Sequence, residues 1–193
     1  MRHILSAPAS PGPWPLLVFL HGYDEGAPTE LEAGVTRHGP LRRGSSKLAT
    51  DEFIVVAPQL PLCGDVWVNY ADEVMALAKS IPDTDPSRFY LTGFSFGGNG
   101  VFDLALAQPG FWAAAWAVDP TRVPVRDPKL PVWLSIGNLA RRQKASFISA
   151  LALSGSAAGE RVWCDEGLDH VGAATSAYRD DEIYRWLLRH RRS

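Results

Sequence analysis

Six short apolar runs, each closed by turn residues, constrain this sequence more than any other feature. Leu16–Leu20 runs into His21-Gly22, Phe53–Ala57 into Pro58, and Arg88–Leu91 into the Gly93 turn. Ala113–Val118 runs into Asp119-Pro120, Pro131–Ile136 into Gly137-Asn138, and Arg161–Cys164 into Asp165-Glu166-Gly167. Runs this short, rich in Val, Ile, Phe and Trp and with little alternation, fit strands buried on both faces. Arg2–Ser6 adds an edge strand. Between the runs, apolar residues recur at i, i+3, i+4: Val74, Leu77 and Ala78 in Ala71–Ser80; Phe147, Ile148 and Leu151 in Arg142–Leu153; Ile183, Trp186 and Leu187 in Asp180–His190. Alternating strands and helices predict an α/β fold: a mainly parallel sheet of six to seven strands with helices on both faces.

The 193 residues, 46% of them hydrophobic, suffice for one core, so a single domain over 1–193 is expected. No interval between strands reaches 30 residues of insertion, so no lid domain is expected and the site should be open. A net charge of −2 argues against a nucleic-acid or anionic-membrane partner. No apolar run approaches the ~18 residues of a membrane span, and Met1–Ser10 lacks the apolar stretch of a signal peptide. A cytoplasmic location is the expectation. Cys63 and Cys164 are too few for a disulfide framework and lack metal-ligand spacing; two buried thiols is the simpler reading, with a single bridge the alternative. No metal or cofactor is called for.

In such a sheet, ligands bind beyond the carboxyl ends of the strands. Those ends carry His21-Gly22-Tyr23, Ser95, Asp119, Gly137-Asn138 and, past the last strand, Asp169-His170. The most specific stretch is Gly93-Phe94-Ser95-Phe96-Gly97, a Gly-x-Ser-x-Gly between an apolar run and a helical pattern over Val101–Ala107. A serine on a sharp strand-to-helix turn is pushed out of the sheet edge, and the flanking glycines remove clashing Cβ atoms. The following helix points its N-terminal N–H groups back toward the serine. Ser95 is therefore read as a nucleophile.

A serine hydroxyl needs a base. Of five histidines, His170 has the right place, after the last strand in the order serine, acid, histidine. His3 is near the terminus, His38 is in the Gly34–Gly44 loop, and His190 belongs to a basic surface helix end. His21 precedes Gly22 in a tight turn and braces that loop or borders the substrate pocket. The oxyanion donors are assigned to the backbone N–H groups of Phe96 and Tyr23. Trp67, on the loop after the Phe53–Ala57 run, is divided between pocket wall and core packing.

The chain resembles the α/β-hydrolases, and within them the lidless predicted esterase, phospholipase/carboxylesterase and peptidase-like group. The matching residues are Leu17-Val18-Phe19-Leu20-His21-Gly22, Phe53-Ile54-Val55-Val56-Ala57-Pro58-Gln59, Asp85–Gly98 through the Ser95 turn, and the tail from His170 to Tyr184-Arg185-Trp186-Leu187-Leu188. The resemblance implies Ser95 as nucleophile, His170 as base, and small-molecule esters as substrates. In one place the sequence departs. In that group the acid lies a few residues beyond the strand that here ends Leu134-Ser135-Ile136-Gly137, near Ala140, yet between Asp127 and Glu160 there is no Asp or Glu. Asp119, one strand nearer Ser95, is the substitute read here; Asp165, Asp169 and the lack of any working acid remain open. Short-chain ester hydrolysis is the leading expectation. Hydrolysis of another acyl bond (a polyester or short peptide) and a non-catalytic binding role are the alternatives.

Overall fold

The computed structural model describes residues 1–165 and 167–192; Glu166, in the turn expected after Cys164, lies outside the described residues. The strands are β1 (His3–Ser6), β2 (Trp14–Leu20), β3 (Ile54–Pro58), β4 (Thr84–Phe94), β5 (Ala114–Val118), β6 (Val132–Ile136) and β7 (Arg161–Asp165). They form a seven-stranded sheet in the order β1-β3-β2-β4-β5-β6-β7. Among the described residues, the edge pair β1·β3 is antiparallel and the other strand pairings are parallel. All five residues of β3, β5 and β6 are buried, as their unbroken apolar runs require.

The helices are α1 (Leu31–Val35), α2 (Leu48–Asp51), α3 (Ala71–Ser80), α4 (Phe96–Ala107), α5 (Asn138–Arg141), α6 (Lys144–Leu151), α7 (His170–Ala177) and α8 (Asp181–Leu188). Two apolar layers flank the sheet. One joins alternate residues such as Leu16, Val18 and Leu20 to Val74, Phe102 and Phe147; the other joins Leu17, Phe19 and Val55 to Tyr178, Tyr184 and Trp186. Helix α8 alternates buried Ile183, Trp186 and Leu187 with charged Asp181, Glu182 and Arg185, the amphipathic pattern of a helix closing one face.

Two elements differ from the sequence expectation. Strand β4 begins at Thr84, because Trp14 pairs with it there, ahead of the apolar run. His170 does not sit in a loop before the terminal helix: it is the first residue of α7, a helix of its own. Asp169 caps that helix by accepting from Gly172 N–H at 2.7 Å.

Candidate active site

Strand β4 and helix α4 meet at Ser95. Its φ of 58° and ψ of −116° lie outside the ordinary basins for an L-residue, a strain of about 1–3 kcal/mol that the surrounding fold must hold in place. Ser95 N–H donates to Val118 O at 3.0 Å, and Ser95 O accepts from Asn99 N–H at 3.1 Å, which ties the turn to β5 and to α4. The hydroxyl makes no helix-capping hydrogen bond. At Gly97 a side chain would run into the backbone carbonyl of Leu20, so only glycine lets the turn approach β2 this closely. Phe96 is the first residue of α4, and an N–H at that position has no acceptor within its own helix.

Near this turn lies an acid–histidine pair, its acid buried and its imidazole 26% exposed. Asp119 follows β5, has no exposed surface and carries a φ of 39°. Its carboxylate accepts from Gly137 N–H (2.9 Å), Ala140 N–H (2.8 Å) and Leu139 N–H (3.3 Å), and stands 2.6 Å from His170 Nδ1. Such a set of donors offsets the cost of burying the charge. A carboxylate only accepts, so Nδ1 is the donor of this pair, and Nε2 is the nitrogen left to accept in the neutral tautomer. The His170 ring lies on Phe94, centroids 4.4 Å apart, next to Ser95 in the chain. The turn after Asp119 is braced from α4 by Asn99, which accepts from Thr121 N–H and Arg122 N–H and donates to Thr121 Oγ1.

The loop after β2 forms the opposite wall. Gly22 lies so near Ser95 that a Cβ there would stand 3.6 Å from Ser95 Cβ. The Tyr23 ring packs edge-on against Phe96 at 5.0 Å. His21 is fully buried; Nε2 accepts from Leu60 N–H at 3.0 Å, which leaves Nδ1 to donate to Gly22 O at 2.7 Å. Burial pushes the His21 pKa down to about 4, so the ring is neutral and this tautomer is held. In a planar trans peptide the N–H points opposite to the C=O. With Gly22 O turned in toward His21, the Tyr23 N–H is turned away from it.

No protein-family model matches the sequence, and no curated protein matches it. Solved structures do match. A thermostable esterase superposes with a TM-score of 0.72 at 22% identity, covering 98% of this chain and 59% of its own. An S-formylglutathione hydrolase from Agrobacterium tumefaciens gives 0.67 at 18% identity, with 97% and 89% covered. The fluorophosphonate-binding serine hydrolase FphF of Staphylococcus aureus gives 0.65 at 16% identity, with 96% and 90% covered. The fold is that of the α/β-hydrolases. The chain spans 59% of the length of the thermostable esterase and about nine tenths of the other two.

Within this α/β-hydrolase fold, several residues read from the sequence fall elsewhere than the pocket. Trp67 is 2% exposed; its ring packs on α4 at Gly100 and Nε1 donates to His21 O at 3.1 Å. Neither Trp67 nor His21 offers surface to a ligand: both brace the loop from beneath, because an indole and an imidazole there satisfy backbone groups that would otherwise be buried without partners. Asp165 is engaged by Arg141 at 2.6 Å, which holds its carboxyl below the usual range, and Asp169 caps α7. Neither competes for His170 Nδ1. Cys63 and Cys164 are not bridged, and Cys63 is exposed rather than buried. Sequence reasoning missed Asn99 and Glu25. Glu25 is 4% exposed and accepts from Gly22 N–H at 2.5 Å; its spacing of three from Gly22, that of a capping box, was the available signal.

Proposed function

We propose that this α/β-hydrolase-fold chain is a serine hydrolase acting on carboxylic esters through an acyl-enzyme. The observation that carries the reading is the pairing of buried Asp119 with partly exposed His170 near a serine held on a strained strand-to-helix turn. Ser95 Oγ attacks the ester carbonyl while His170 Nε2 takes its proton, and Asp119 stabilises the imidazolium without itself being protonated. The tetrahedral oxyanion lies between the Phe96 and Tyr23 N–H groups. Collapse breaks the ester C–O bond, and the alcohol leaves with the proton from His170. Water, deprotonated by the same imidazole, then cleaves the acyl-Ser95 ester.

The acyl group is assigned as short, since among the described residues no lid domain is interposed between the strands to enclose a long chain. One observation favours a second reading, a polyester or other extended apolar ester. Tyr23, Leu62, Val66, Val68, Leu168 and Val171 are all exposed, on the connections that follow β2, β3 and β7 and on the first turn of α7, where a polymer could lie across an open site. The pairing of Asp119 with His170 supports catalysis over a non-catalytic binding role, the third reading.

The test is a chromogenic ester series from acetate to long acyl chains, with wild type, Ser95→Ala and Asp119→Asn. Hydrolysis lost in Ser95→Ala supports the reading, and hydrolysis that survives that substitution contradicts it. A rate that keeps rising with acyl length favours the extended substrate.

A further inference from the structure

Glu25 is a carboxylate in a place where burial disfavours charge. It closes the 3-10 turn Tyr23–Glu25 and is 4% exposed. Burial raises its pKa, while the Gly22 N–H bond and Arg37 oppose the shift. Oε2 accepts from Gly22 N–H at 2.5 Å, and Oε1 lies 3.5 Å from His38 Nε2. The residue's own carbonyl is fixed by Gln59 Nε2 at 3.0 Å. His38 packs on Phe94, and Phe94 on His170. The turn that carries Glu25 is thus anchored to β3's end on one side and to the wall of the site on the other.

The consequence falls on Gly22. A glycine has no side chain to hold it and rotates freely about φ and ψ. Here its N–H is held by Glu25 and its C=O by His21, so both ends of the residue are fixed, at φ −79° and ψ −167°. The next amide, Tyr23 N–H, takes its direction from that conformation.

We infer that Glu25 is a positioning residue for oxyanion binding: its buried side chain holds Gly22 N–H and thereby aims the Tyr23 N–H at the carbonyl oxygen attacked by Ser95. This rests on the proposed serine-hydrolase reading. Glu25 acts through the backbone and touches no reacting atom. What the role requires is an acceptor at the reach of a glutamate, not a negative charge.

Three variants separate these requirements. Glu25→Gln keeps reach and acceptor, Glu25→Asp keeps charge but loses one methylene of reach, and Glu25→Ala loses both. For a chromogenic acetate ester, Glu25→Gln should stay within about threefold of wild type. Glu25→Asp and Glu25→Ala should lose about 10- to 100-fold in kcat with KM little changed, somewhat less than outright removal of an oxyanion donor. Binding of a phenylboronic acid, which forms a tetrahedral adduct on serine, should weaken in parallel. Equal impairment of Gln and Ala variants, or wild-type kcat in Glu25→Asp, overturns the inference. Gly22 amide hydrogen exchange provides a readout independent of activity: protection in wild type and Glu25→Gln and its loss in Glu25→Asp support the role, and an unprotected wild-type amide contradicts it. A wild type that neither hydrolyses esters nor binds the boronic acid contradicts the hydrolase reading, and the exchange data then still decide whether Glu25 holds Gly22.

Discussion

The backbone N–H of Ala140 lies 2.8 Å from Oδ1 of Asp119. Ala140 stands about where the resemblance led us to expect the acid itself. Instead, the loop after β6 contributes Gly137, Leu139 and Ala140 N–H groups to an aspartate at the end of the neighbouring strand. The loop after β6, which carries no acid of its own, is the hydrogen-bonding cradle of a carboxylate one strand nearer Ser95.

Asp119→Asn keeps an acceptor for part of that cradle but loses the charge that matches an imidazolium. It should lower kcat/KM for the acetate ester by about 10⁴-fold while the chain stays folded. Steady-state kinetics beside a far-UV circular dichroism spectrum checks this, and near-wild-type turnover would remove Asp119 from the mechanism.

Gly137→Ala tests the same pocket sterically. A Cβ at Gly137 would overlap the Asp119 carboxylate, whereas one at Gly155 meets nothing within 4 Å. Displacing Asp119 by an ångström should cost about 100-fold in rate, and Gly155→Ala should cost nothing. Equal rates in the two variants would mean that Asp119 can move without consequence.

Asp169→Ala removes the N-cap of α7 and not the partner of His170. It should lower stability by about 1 kcal/mol, read from a urea titration, and leave kcat near wild type once the protein is folded. A collapse of kcat comparable to that of Asp119→Asn would make Asp169 the acid.

Stability should fall on mild acidification. Burial lowers the pKa of His21, and of His38 with help from Arg37, Arg42 and His170, to about 4. An unfolded chain protonates its histidines near 6.5. The stability due to their neutral forms is therefore complete above about pH 6.5 and is lost as pH falls toward 4. For the fully buried His21 this is on the order of 3 kcal/mol. Glu25, its pKa raised by burial, acts with the opposite sign, one carboxyl against two imidazoles. Urea midpoints between pH 7.5 and 4 should drop for wild type and drop less for His21→Gln; parallel curves would contradict the assignment.

The strands were legible because a strand buried on both faces must be apolar throughout, and β3, β5 and β6 are. Ser95 and Asp119 were legible as polar residues at strand ends, and His170 as one past the last strand. Helices α1, α2 and α5, of four or five residues, were not: so few residues show no period. Helix α7 was hidden by its small residues, which bury Ala173, Ala174 and Ala177 without an amphipathic stripe. For Trp67 and His21 the choice between bracing the loop and facing a ligand stayed open, because sequence puts them on the right loop but does not say which way they face. Glu25 was missed because a charge in a loop ordinarily meets water.

The central claim is that Ser95 is a nucleophile. The most direct measurement is intact mass, followed by peptide mapping, after treatment with a fluorophosphonate. The account predicts one adduct per chain, on the peptide containing Ser95, absent in Ser95→Ala and strongly slowed in Asp119→Asn. An adduct on another residue, or none on folded wild type, would contradict it.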